Sequence, residues 1–163
     1  MTKIGLLSDT HGFIDDKLMK FFSKCDEIWH AGDIGNYEVV KKLKKNKVFR
    51  AVYGNIDGQD IRTEYPKHNR FKIDDITVWI THIGGYPKRY DKNVKPEIYR
   101  NPPKLFISGH SHILKVIFDR DIDCLHINPG AYGLSGFHKV RTAIRFDIEN
   151  RDIKNLKILE IKR

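Results

Sequence analysis

Cysteine is scarce: Cys25 and Cys124 are the only two in 163 residues. They stand far apart and read as buried thiols of a reducing compartment, which excludes a disulfide framework. No apolar run approaches the roughly 18 residues that cross a bilayer. Met1-Thr2-Lys3 runs straight into a strand pattern, so no secretory leader is expected and the cytoplasm is the expected compartment. Repeats and low-complexity tracts are missing as well. Acidic residues are in the minority, 21 Asp and Glu against 30 Lys and Arg, for a net charge of +9. Such an excess invites nucleic acid, but the lysines are scattered. Their one cluster, Lys41, Lys42, Lys44, Lys45 and Lys47, falls at a predicted helix end, where cations are favoured. No aromatic-basic RNA-binding motif accompanies it, so nucleic acid ranks low as a partner. A basic surface equally suits a phosphate ester.

What is present is ordinary for a globular domain. Apolar residues make up 40 % and charged residues 31 %, and the length fits one domain over residues 1–163 with a full core. Ile4 to Leu7 is a short buried strand. Leu18, Phe21, Phe22 and Cys25 fall at helical spacing and predict a helix over Asp15 to Cys25. Glu27 to His30 is a second strand, Tyr37 to Lys45 a second helix and Val48 to Tyr53 a third strand. The repeated strand–helix alternation predicts a parallel sheet with crossover helices. The middle then turns to hairpins: Arg70 to Ile73 with Thr77 to Ile80, and Leu114 to Phe118 with Cys124 to Ile127. Between them lie a Gly/Pro-rich loop, a short helix near Lys95 to Arg100 and a buried strand from Leu105 to Ser108. Two alternating strands close the chain, near Thr142 to Ile148 and Leu156 to Ile161.

The chemistry sits at the strand ends. Ile4 to Leu7 ends in Ser8-Asp9-Thr10-His11-Gly12. Residues two apart on an extended chain point the same way, so Asp9 and His11 can bind one ion from one side. Four more apolar runs end similarly, in Gly32-Asp33, Gly54-Asn55, Thr81-His82 and Gly109-His110-Ser111-His112. Ligands collect at the carboxyl ends of strands in such sheets. Carboxylate, imidazole and amide oxygen suit divalent first-row metals. Seven ligands exceed what one catalytic zinc takes and suit two ions about 3.5 to 4 Å apart with a bridging carboxylate.

In order and approximate spacing these motifs resemble the calcineurin-like metallophosphoesterases, and more closely their small single-domain YfcE-type members. The resemblance spans Asp9 to Asn128 and implies an α/β fold, a four-layer α/β/β/α sandwich with two mixed β-sheets. It implies that Asp9, His11 and His112 hold one divalent ion, that Asn55, His82 and His110 hold a second, and that Asp33 bridges them. Manganese is expected first, with nickel, cobalt, iron or zinc as alternatives. The implied activity is phosphodiester hydrolysis by a metal-bridging hydroxide, with Asp33, Asn55 and His82 at the reacting centre and a small phosphate ester as substrate. A non-catalytic protein-binding scaffold like the retromer subunit of this fold, and a nuclease, are the competing readings. No membrane partner is expected, and self-association into a homo-oligomer is left open. The chain departs from the family pattern three times. Ile56 stands where many members carry a histidine that protonates the leaving group, the loop after His82 reads Ile83-Gly84-Gly85, and the turn after Asn128 ends in Ala131. Asp57 reads equally as an orienting acceptor or a turn residue. Tyr86, Lys88, Arg89 and Tyr90 read as a solvated loop or a substrate rim. His30 reads as a hydrogen-bonded structural histidine, and His68, His126 and His138 as surface histidines or hydrogen-bonded core ones.

Overall fold

A computed structural model describes residues 1–163. In chain order the elements are β1 (Thr2–Leu7), α1 (Asp16–Phe21), β2 (Glu27–His30), α2 (Tyr37–Lys44), β3 (Val48–Ala51), α3 (Gln59–Glu64), β4 (His68–Ile73), β5 (Ile76–Thr81), β6 (Gly85–Tyr86), β7 (Arg89–Tyr90), α4 (Lys95–Arg100), β8 (Leu105–Ile107), β9 (Leu114–Asp119), β10 (Cys124–Pro129), β11 (Val140–Glu149) and β12 (Asp152–Lys162). Two five-stranded sheets form, ordered β12-β11-β1-β2-β3 and β4-β5-β8-β10-β9. Each is mixed. β1, β2 and β3 run parallel with β11 and β12 antiparallel beside them, and β5, β8 and β10 run parallel between antiparallel β4 and β9.

The inner faces of the sheets meet in one apolar core of Ile4, Leu6, Trp29 and Ala31 from the first sheet against Val78, Ile80, Leu105 and Ile107 from the second. The outer face of the first sheet is covered by Leu18 of α1, Val39, Val40 and Leu43 of α2 and Ile61 of α3. The outer face of the second is covered by Val94 and by Ile98 of α4 against Trp79 and Phe106. The result is the expected α/β/β/α layering. Burying each of these aliphatic side chains stabilises by roughly 1.5–3 kcal/mol, which explains why the central strands are apolar on both faces. No helix is long and apolar enough to cross a membrane.

Several boundaries differ from expectation. α1 stops at Phe21, and Cys25 reaches the core through a turn in which its N–H donates to Phe22 O at 3.0 Å. That turn preserves the apolar spacing, so periodicity alone overextends the helix. α3 was not anticipated because it is one and a half turns long and buries a single residue, Ile61. The loop expected after His82 contains the small β6–β7 hairpin around Pro87 and Lys88.

Candidate metal centre

Five strand ends place the seven candidate ligands. Asp9 and His11 follow β1, Asp33 follows β2 and Asn55 follows β3, all in the first sheet. His82 follows β5, and His110 and His112 follow β8, in the second. Asp9 (φ 52°), His11 (φ 45°), Asp33 (φ 53°), His110 (φ 68°) and His112 (φ 61°) all adopt left-handed backbone. Non-glycine residues rarely do, and such strain persists where surrounding structure enforces it, most often at functional sites. Here it turns each side chain off its strand toward one point. Glycine makes room for that convergence. A Cβ at Gly54 would lie 2.0 Å from Asp33 Oδ1, and one at Gly109 would lie 2.9 Å from Asp9 Oδ2.

Two groups of ligating atoms result, Asp9 with His11 and His112, and Asp33 with His82 and His110, each within 4.8 Å of one another. His112 Nε2 lies 3.1 Å from Asp9 Oδ1. Asn55 Oδ1 joins the second group at 3.1 Å from both His82 Nε2 and His110 Nδ1. Asp33 Oδ2 stands between the groups, 3.5 Å from His11 Nε2 and 3.3 Å from His82 Nε2. Its other oxygen is taken by the Ile56 N–H at 3.1 Å. Asp9, Asp33 and His82 are buried, whereas His110 and Asn55 are exposed, so the site opens to solvent on that side.

Hydrogen bonds fix several of these groups. His82 Nδ1 lies 2.7 Å from Ala31 O. A carbonyl only accepts, so Nδ1 carries a proton and Nε2, which faces the carboxylates, is the nitrogen that would offer its lone pair to an ion between them. The Ser8 hydroxyl donates to Asp9 Oδ2 at 2.6 Å and the His110 N–H donates to the same oxygen at 3.1 Å. Asp9 Oδ1 and His11 Nε2 are buried and make no hydrogen bond. Orphaned polar atoms of this kind are costly, and a cation between them would satisfy both. Burial pushes the Asp9 carboxyl up, but its neighbours His112, His82 and Ser8 outweigh it and hold the group below its ordinary value. Asp33 is likewise held low, burial being outweighed by His82, the Ile56 N–H and His11. Burial pushes His82 down, and Asp33 and Asp9 beside it pull it up above its ordinary value.

The family model described as the calcineurin-like phosphoesterase superfamily domain matches residues 2–151. The chain belongs to that superfamily. A probable metallophosphoesterase of Methanocaldococcus jannaschii is 30 % identical over 134 residues, 78 % of this chain and 67 % of that one. A solved structure described as a novel archaeal phosphodiesterase is 27 % identical, with a TM-score of 0.72 over 96 % of this chain and 99 % of that one. Vps29 of Chaetomium thermophilum shares the fold at a TM-score of 0.77 over 99 % of this chain and 97 % of that one, at 14 % identity. This superfamily is one of metal-dependent phosphoester hydrolases, and the donor set built here fits divalent ions.

Other residues resolve around the centre. Asp57 is buried and accepts the N–H groups of Gly54, Gly35 and Ile34 at 2.7, 2.8 and 3.1 Å. It therefore staples the loop of Asp33 to the loop of Asn55, which decides between the two readings of that residue. Asn128 has two roles: Oδ1 accepts from its own turn at Gly130, and Nδ2 donates to Gly109 O at 2.9 Å, bracing the His110 loop. Tyr86 and Arg89 line a cavity of about 200 Å³ beside His110, while Tyr90 is buried with its hydroxyl donating to Asp119. His30 is a hydrogen-bonded core histidine, held by Thr10 and the Gly32 N–H. His126 is not: it is fully buried and neither ring nitrogen has a partner. The ring of Phe106 lies against it, with centroids 5.6 Å apart.

Proposed function

We propose that the chain, as one domain, is a phosphodiesterase working through two divalent ions. The observation that carries this reading is the position of Asp33 Oδ2, between two clusters of ligating atoms contributed by both sheets. Asp9, His11 and His112 would hold one ion, and Asn55, His82 and His110 the other, with Asp33 shared between them. Manganese, nickel, cobalt, iron and zinc all suit these ligands. Such ions supply an activated water and offset the charge that builds on the phosphoryl oxygens.

The residues of the chain supply the rest. The Ala31 carbonyl keeps the His82 lone pair aimed at the centre. The Ile56 N–H fixes Asp33 so that only one of its oxygens is free. The open side, at Asn55 and His110, is where a phosphate ester would enter. A cavity of about 320 Å³ lined by Tyr53, Asn55, Lys67, His68 and His82 adjoins it. Cationic Lys67 there favours an anionic substrate, and the +9 net charge favours it at longer range.

The likeness to Vps29 concerns fold, and a scaffold of that kind has no need of seven converging ligands. The test is a screen of phosphate mono- and diesters with Mn²⁺, Ni²⁺, Co²⁺, Zn²⁺ and Mg²⁺. Metal-dependent diester hydrolysis, abolished in Asp33→Asn with reduced metal content, is the expected result. A neutral amide bridges two dications poorly. Metal binding without turnover of any ester would favour the scaffold and overturn the enzymatic reading.

A further inference from the structure

Residues 130–138 return from β10 across the mouth of the site. The Tyr132 N–H donates to Ser8 O at 3.0 Å and the Gly133 N–H to Asp9 O at 2.9 Å, so this loop is bonded to the backbone of a candidate ligand. Gly133 O in turn lies 2.8 Å from His138 Nε2. The other ring nitrogen of His138, Nδ1, lies 3.2 Å from Nδ1 of His112, with the two rings edge-on at 79°.

The protons in this chain can be assigned by elimination. The Gly133 carbonyl only accepts, so His138 Nε2 carries a hydrogen. In a neutral imidazole the other nitrogen is then an acceptor. His138 Nδ1 therefore accepts from His112 Nδ1–H. His112 is left with a lone pair on Nε2, the atom 3.1 Å from Asp9 Oδ1, for an ion held between the two. We infer that His138 is a positioning residue for the metal centre: it sets the tautomer and the ring orientation of His112, and through Gly133 it ties His112 to Asp9. The inference rests on the metal-centre reading above.

Two further features hold His138 in place. Arg163 Nη1 donates to Gly136 O at 2.6 Å and to His138 O at 3.1 Å, which clamps the loop from outside. Gly136 has φ 123°, and a Cβ there would lie 2.4 Å from His112 Nδ1. The loop thus lies flush against the histidine pair, and only glycine fits at that point. Groups behind a metal-ligating histidine commonly set its tautomer, and losing one costs 10–100-fold in metal affinity or activity.

The experiment is a metal titration of the metal-free protein, with Zn²⁺ competed against a chromophoric chelator and Co²⁺ followed by its absorption spectrum. Wild type, His138→Ala and His138→Asn are compared, and the melting temperature of each metal-free protein is recorded. Asn places an oxygen acceptor near the position of Nδ1. The expected result is that His138→Ala weakens one of two binding steps by about 10–100-fold and alters the Co²⁺ spectrum. His138→Asn recovers part of the affinity, and the metal-free melting temperatures stay close together. Two wild-type binding steps preserved in His138→Ala would overturn this inference alone. Equal weakening of both steps with a lowered metal-free melting temperature would also overturn it, assigning His138 to loop folding. A wild type that binds no ion would overturn the metal-centre reading together with this one.

Discussion

Asp57 makes the sharpest test of how the site is held. Its carboxylate is 3 % exposed and accepts three backbone N–H groups, two on Oδ2 from Gly54 and Ile34 and one on Oδ1 from Gly35. Asp57→Asn keeps the shape and replaces one oxygen with an NH2 group. Two orientations are open to the amide. With the nitrogen at the Oδ2 position two bonds are lost, so the favoured orientation puts it at Oδ1, facing the Gly35 N–H donor to donor. One charge-assisted bond is lost there, at about 1.5–3 kcal/mol, and the other two become neutral bonds, each weaker by about 1 kcal/mol. The sum is about 3.5–5 kcal/mol, a large share of the roughly 5–15 kcal/mol that stabilises a domain. Gly35 is exposed, so water can replace part of the lost bond, which places the expected cost toward the lower end of the summed range. Urea unfolding at 25 °C in excess chelator measures the cost without any contribution from bound ions. Metal titration of the same variant should show weaker binding, because the Asp33 and Asn55 loops lose their common anchor. A stability loss below about 1 kcal/mol, or unchanged metal affinity, would refute the argument that this carboxylate organises the site.

Other consequences can be checked independently. Ions that bind only the folded state stabilise it by about 2.7 kcal/mol at 100 times their dissociation constant, so chelation should lower the melting temperature; an unchanged midpoint with confirmed metal loss would count against the centre. Burial pushes His126 down from 6.5 to about 4, so between those pH values the unfolded chain carries a proton that the folded chain does not. That cost is absent above pH 6.5 and grows by about 1.4 kcal/mol per pH unit as pH falls toward 4. His126→Leu, close in volume and free of the unpaired nitrogens, should be more stable at pH 7.5, with its advantage widening at pH 5; a constant or reversed difference in urea midpoints would contradict this. Ile56 is 46 % exposed at the rim and offers no proton, and Asp57 beside it has both oxygens occupied as acceptors. A positioned acid contributes about 10²–10⁴-fold, so kcat/KM should fall steeply from aryl to alkyl diesters in wild type and less steeply in Ile56→His; a shallow wild-type slope would show another donor at work.

The candidate ligands are legible because each is written locally. A β-type apolar run ending in an Asp, Asn or His beside glycine states both the strand and its chemistry, and this recurs at Asp9, Asp33, Asn55, His82 and His110. The helix of Lys95–Arg100 was legible for a similar reason, with Pro96 in its first turn and Pro102 after it. What escaped depends on contacts distant in sequence. Asp57 finds Ile34 across 23 residues, and His138 finds His112 across 26. No spacing rule links those pairs. The left-handed backbone at five of the ligands was also unreadable, since Asp and His tolerate that conformation without demanding it. His126 sits on β10 at a position whose burial follows from sheet packing. A histidine in an alternating strand carries no mark of whether a partner will be waiting.

The placement of the ligands follows from the sheet topology more than from any one motif. In each sheet the central strands are parallel, so their carboxyl ends emerge on one side. The two sheets pack face to face through Ile4, Leu6 and Trp29 against Val78, Ile80 and Ile107, which brings those two edges together. Each cluster of ligating atoms then draws on both sheets: Asp9 and His11 with His112, and Asp33 with His82 and His110. An ion in either cluster would tie the sheets across their mouth, where the apolar core gives out and two buried carboxylates face each other. Without it, His82 is the group placed to offset both of them, 3.3 Å from Asp33 and 3.8 Å from Asp9. Charge balance at the mouth and packing of the two sheets are therefore one problem, and the residues that solve it are the ones that would bind the metal.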